Sequence, residues 1–391
     1  TLASSLEMSS YRDGITLSGK VIGDADTAYG LRILADAGDI LLAKDLGSSD
    51  ARLGVILLSS SAATTINGSV YGTSLSTSAS GNTTINGGLI DTTDRQSYYG
   101  HVTLGADTTF KSDVVDLIGG VDGTATGQQS LTVDGVALIQ GALGGNVALK
   151  ALTVTGGSNL GADITTTGAQ TYEGTASLSN TVALTSTTGD IRFDQAIMGD
   201  IDQGHGLTIG STSGNVTFVN GLGTSGPNRV GDLDISTGGA IAFNGQVYAA
   251  SVDTGSTGTL ALNGPVVDTT GTQHYGQLAV LGAGTVLRGS EVTLAAGADA
   301  TTQGGQSLTI DGNAVIEGAI GAGRALASLT ITGDATLDTA SIDTTGTQSY
   351  QGEVTLGHSL TLTSGGNVSF SDAVKGGTFG LTVNAGTRNV S

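Results

Sequence analysis

One ten-residue segment occurs four times in this chain, and the spacing of its copies limits the fold more than any other feature. The copies read DTTDRQSYYG from Asp91, TTTGAQTYEG from Thr165, DTTGTQHYGQ from Asp268 and DTTGTQSYQG from Asp343. Each places Gln two residues before Tyr, so the tyrosines Tyr98, Tyr172, Tyr275 and Tyr350 follow one another at a short, a long and again a short interval. That rhythm defines a larger unit of about 177 residues with two unequal halves. The stretch QSLTVDGVALIQGALGGNVALKALTVTG, Gln129 to Gly156, returns one such unit later as QSLTIDGNAVIEGAIGAGRALASLTITG, Gln306 to Gly333.

A finer period lies inside the unit. TTING ends at Gly68 and again at Gly87, and SLTVDG at Ser130 is followed by ALTVTG at Ala151. Each short unit holds runs such as LTV, VTF and ITL that alternate apolar and polar residues between Gly, Asn-Gly or Asp-Gly turns, the pattern of short half-buried strands. About 20 residues cannot enclose a core alone, so neighbouring units must stack. The expected fold is all-β, a right-handed parallel β-helix with about 19–21 residues per coil. At about 4.8 Å between paired strands the chain would form about 19 coils and a rod on the order of 90 Å long. Residues 1–80 read as less regular coils, 81–257 as the first repeat unit and 258–391 as a second, truncated one, all in one continuous rod. The turn glycines after Asn or Asp, as in Asn67-Gly68, Asn86-Gly87, Asn263-Gly264 and Asp134-Gly135, are expected to take positive backbone dihedrals. Loops are expected to project from the less regular stretch Asp200 to Val247.

Composition agrees with this and excludes other classes. Of 391 residues 65 are Gly and only 2 Pro, which rules out collagen and proline-rich disorder. The chain is 38% hydrophobic and only 12% charged, so it should fold rather than stay disordered. Immunoglobulin-like sandwiches would need longer strands and a large buried aromatic, whereas Trp is absent. A net charge of -20 argues against nucleic acid as a partner, because phosphate contacts need clustered Lys and Arg. Apolar runs such as Leu53 to Leu58 are far too short to span a membrane as a helix. The absence of Cys is compatible with an extracellular protein and nearly as well with a cytosolic one. With no initiating Met and an unfinished last repeat, the chain reads as a segment of a larger protein.

Several residues are candidates for function. Tyr98, Tyr172, Tyr275 and Tyr350 would bind ligand if they formed an exposed row on which sugar rings stack; the alternative is that each covers a coil corner or fills the core. Asp91, Asp268 and Asp343, with Asp134 and Asp311, could bind calcium or simply cap turns, and no calcium nonapeptide or EF-hand loop accompanies them. His101, His205, His274 and His358 lack the spacing of a metal site. No cofactor beyond that calcium is expected. No groove combining carboxylates with Arg or Lys stands out, so no catalytic residue is assigned and the protein is not expected to be an enzyme.

The stretch DTTGTQSYQGEVTLG, followed by LTLTSGGNVSFSDAV and LTVNAG, resembles repeats in very large bacterial surface proteins of the filamentous haemagglutinin type, the exoproteins of two-partner secretion. The resemblance covers most of residues 81–391. It implies a β-helical shaft exported through an outer-membrane β-barrel transporter to the cell surface or medium, where it acts as an adhesin or biofilm-matrix fibre. The expected partners are an extracellular polysaccharide or the surface of a host or neighbouring cell. A self-assembling fibre or sheath subunit with end-to-end association is the alternative, and a polysaccharide-degrading β-helix the third reading.

Overall fold

A computed structural model of the chain describes residues 1–200, 204–386 and 389–391. Among these residues there is no helix, and every strand pairing is parallel. The coils stack into a β-solenoid, as the repeat period required. The chain forms two compact units, Thr1–Asp194 and Gln195–Ser391.

In the first unit each coil visits three parallel ladders. One runs from Leu6–Ser9 through Leu31–Leu34 and Arg95–Tyr98 to Ala176–Leu178. A second passes Ile15–Leu17, Ile40–Leu42, Ala63–Ile66, Asn82–Ile85 and Val102–Leu104. The third passes Leu89–Thr92, Leu152–Val154, Gln170–Tyr172 and Ile191–Phe193. Longer strands such as Thr108–Leu117 and Leu131–Ile139 bend through a corner and serve two ladders with their two halves. The second unit repeats this plan, with Thr285–Leu294 and Leu308–Ile316 as its corner-turning strands.

The alternation in sequence becomes alternation in burial. In Leu152-Thr153-Val154 the two apolar side chains are buried and Thr153 is half-buried on the outer wall. Stacking aligns like with like across coils, so Leu152 lies beside Leu131 and Val154 beside Val133. Small β-branched and aliphatic side chains suit this interior, because three short strands enclose little cross-section. Coils are less uniform than the sequence period. One coil runs only from Leu152 to its partner Gln170, whereas the coil from Leu207 to its partner Leu233 is almost half as long again. In the stretch expected to project loops, residues 201–203 lie outside the described residues. The rest joins the ladders, and its extra length sits in the turn between Val216–Phe218 and Val230–Thr237.

The turn glycines act differently from expectation. Of the four Asn-Gly and Asp-Gly sites only Gly135 has a positive φ, 144°. At Gly68, Gly87 and Gly264 the constraint is the coil below: a Cβ would overlap the backbone of Lys44 and Asp45, of Gly68, and of Gly245. Side chains beside these glycines then stack outside the coils, with Asn86 donating to Asn67 at 2.8 Å and Asn263 to Asn244 at 2.7 Å.

Gly135 and its counterpart Gly312, with φ of 145°, combine both constraints, since a Cβ at each would also overlap the carbonyl oxygen of Ser112 or Gly289. Gly135→Ala and Gly312→Ala are each expected to lower stability by about 2–4 kcal/mol in urea unfolding, from backbone strain plus overlap. Gly210→Ala, where a Cβ meets nothing within 4 Å, is the control and should stay within about 0.5 kcal/mol.

Candidate functional site

The four repeated segments build one local device. In each, a Thr ends one strand, the chain turns, and a Gln four residues later points into the core. Gln96 Nε2 shares its protons among Ile90 O (3.0 Å), Thr92 Oγ1 (3.2 Å) and Lys111 O of the next coil (2.9 Å). Its Oε1 accepts from the Tyr98 hydroxyl at 2.9 Å. Gln170, Gln273 and Gln348 repeat the arrangement, each with the Tyr two residues on. Both glutamine polar atoms and the phenol are thereby satisfied inside the core, where an unmade hydrogen bond is costly.

This corrects the reading of the tyrosines as an exposed binding row. Tyr98, Tyr172 and Tyr275 are 0% exposed and Tyr350 1%. Three of them stack on a phenylalanine, Tyr98 on Phe110 (4.7 Å between centroids), Tyr172 on Phe193 (4.6 Å) and Tyr350 on Phe370 (5.1 Å). Nor do the tyrosines form a row within either unit. Tyr98 pairs with Thr77 and Leu117, but Tyr172 with Val154 and Phe193, which belong to a different ladder. Tyr275 and Tyr350 are separated in the same way, opposite Leu294 and Phe370. The two shorter intervals between tyrosines are not whole numbers of coils, so the same segment locks two different corners.

The aspartates make contacts within the protein. Asp91 pairs with Arg52 at 2.9 Å; Asp268 pairs with Arg229 at 2.6 Å and with Arg288 at 3.1 Å. Asp311 receives Arg288 at 2.8 Å and the Thr332 hydroxyl at 3.1 Å, and the Arg288 hydrogen bond holds its carboxyl below the usual range. Asp134 accepts from Thr155 at 3.1 Å, and Asp343 is half-buried in the strand Ser341–Thr344. Among the described residues no three His, Cys, Asp or Glu side chains are placed to hold a metal ion. His101 is hydrogen-bonded to Gly119 O and Asp122, and His274 to Asp253.

The corner of Thr108–Leu117 carries the candidate site. Here Ser112 and Asp113 bulge against the single residue Gly135 of the next coil. The bulge opens an outer groove of about 500 Å³ lined by Arg52, Asp91, Lys111, Asp113, Asp134 and Val136. Parallel register places Lys111 between Asp91 on one coil and Asp134 on the next. Arg52 is held by two contacts to Asp91, through the carboxylate and the carbonyl oxygen (both 2.9 Å), and lies over the Tyr71 ring. Three carboxylates and two cations therefore meet in one groove, a constellation invisible in the sequence because its members come from separate coils. The cluster of Arg52, Tyr71 and Asp91 recurs one long repeat further on as Arg229, Tyr248 and Asp268. The long repeat thus reaches upstream of residue 81, and that offset was the one signal that could have found the site.

A second charged patch lies in the second unit, where Asp234 sits opposite Asp253. Burial, and then the charges of Asp253 and Asp232, raise the pKa of Asp234.

No protein-family model matches this sequence. No curated protein and no solved structure matches it either.

Three predictions concern these groups. Gln273→Leu should cost about 2–4 kcal/mol in urea unfolding, because it strands the buried Tyr275 hydroxyl, and Tyr275→Phe about 1 kcal/mol. Burial raises the pKa of all four core tyrosines, so they stabilise the fold below pH 10 and that contribution is lost as pH rises through their folded values; ultraviolet titration should show them ionising only with unfolding. Asp234, raised in the folded state, favours folding below its unfolded pKa and opposes it at neutral pH. Asp234→Asn should therefore raise the melting temperature at pH 7 and lose that advantage below about pH 4.

Proposed function

We propose that this chain belongs to an extracellular bacterial surface protein that joins cells to one another or to a matrix, an adhesin or biofilm-matrix scaffold that engages polysaccharide. The observation that carries the reading is the groove at Lys111. It has the size of a ligand site, and it leaves Lys111 and Asp113 without an ion-pair partner among the described residues, whereas Arg95, Arg229 and Arg288 are each paired with a carboxylate. The resemblance of the repeats to exoproteins of the filamentous haemagglutinin type supports the same reading. So does the coil architecture, since each coil needs only its predecessor to fold, which suits passage as an unfolded chain through an outer-membrane β-barrel transporter.

The test is adhesion. Beads coated with the purified chain should gather bacterial cells or extracted matrix, and saccharide released from that matrix should compete. Beads that gather nothing would sink the adhesive reading. Concentration-dependent filaments in the same preparations would favour the self-assembling alternative, and shortening of the competing polymer would favour an enzyme.

A further inference from the structure

The grooves of the two units share a frame and differ in four side chains. Lys111, Ser112, Asp113 and Val136 of the first are replaced, one long repeat further on, by Arg288, Gly289, Ser290 and Asn313. In the second unit Arg288 bridges the carboxylates above and below it, Asp268 at 3.1 Å and Asp311 at 2.8 Å. The remaining oxygens of that pair are taken by Arg229 and Thr332, so the corner is internally closed. In the first unit Lys111 holds the same register between Asp91 and Asp134 but reaches neither within ion-pairing distance. Its shorter, single-pointed head cannot bridge two coils as a guanidinium fork does. Among the described residues the result is an open groove with an ammonium in no ion pair, free carboxylate oxygens, and a floor of exposed Val136 (37%) beside Gly135 and Gly156.

We propose that the groove of the first unit, and not its counterpart, binds a uronate-bearing saccharide; the inference rests on the saccharide-binding reading above. Lys111 takes the sugar carboxylate, Asp113 and Asp134 accept hydrogen bonds from ring hydroxyls, and the C–H face of the ring lies on Val136 and the two glycines. With Arg52 already paired to Asp91, Lys111 is the one cation left among several acceptors, which fits a sugar ring that carries one acid and several hydroxyls. The net charge of -20 is screened beyond about 8 Å at physiological salt, so the contacts inside the groove decide binding.

Calorimetric titration of the whole chain with a galacturonate tetramer and a neutral glucose tetramer tests this. The wild type should bind one galacturonate tetramer per chain and the glucose tetramer at least about tenfold more weakly, the scale of one charge-assisted hydrogen bond. Lys111→Gln should lose about tenfold or more in affinity for galacturonate with an unchanged melting temperature, since Lys111 is exposed. Lys111→Arg, which copies the closed corner, should lose affinity while melting no lower. The triple variant Arg288→Lys, Ser290→Asp, Asn313→Val should open the second corner and raise the stoichiometry to two. Equal affinity for both tetramers, or galacturonate binding indifferent to Lys111, would overturn the inference while leaving the saccharide-binding adhesin standing. Failure to bind either tetramer would also overturn it, and the bead assay would then decide the adhesive reading separately.

Discussion

Parallel strands in successive coils lie about 4.8 Å apart, and everything else in this protein answers to that spacing. It brings the backbone of each corner against the corner of the coil below, which is why Gly68, Gly87 and Gly264 tolerate no side chain although their dihedrals are ordinary. The same spacing turns any residue repeated at the coil period into a ladder. Apolar residues become stacked core, Asn67 and Asn86 become an amide ladder, and Asp268, Arg288 and Asp311 become a ladder of alternating charge. Like charges in register, as at Asp234 and Asp253, are the cost of the same geometry.

A stack of short strands with small side chains has no large core to hold its corners, and the Thr, Gln and Tyr of the repeated segment supply the missing rigidity. The glutamine ties its own corner to a carbonyl of the next coil, and the tyrosine fills the interior beneath while giving its proton to the glutamine. Such a network specifies one register, because a shift by one residue would bury unsatisfied amide and phenol groups. Its members are the largest polar investment in the core. That gives the Thr, Gln and Tyr of the most conspicuous motif in the chain a structural task in the core.

The proposed binding groove lies where the repeat departs from itself. The two groove corners share Arg, Tyr and Asp at the offset of the long repeat, yet one corner is closed by an arginine and the other left open by a lysine. A duplicated scaffold can vary an outer corner in this way without disturbing the core, because outward side chains contribute little to stacking. The proposed adhesive role needs this combination of an invariant interior and divergent surface sites.

The sequence by itself determined the fold class, the repeat and the placement of turns, because alternation and glycine punctuation act over a few residues and are read locally. It also carried the pairing of LTV with LTV across coils. Only the tertiary structure decided which way the tyrosines face and which ladder each joins. Coils as unequal as Leu152 to Gln170 and Leu207 to Leu233 mean that a fixed offset in sequence need not return to the same side. The groove was beyond sequence reading for the same reason. Arg52, Asp91, Lys111 and Asp134 are about a coil or two apart along the chain, and only the stacking register sets their charges side by side.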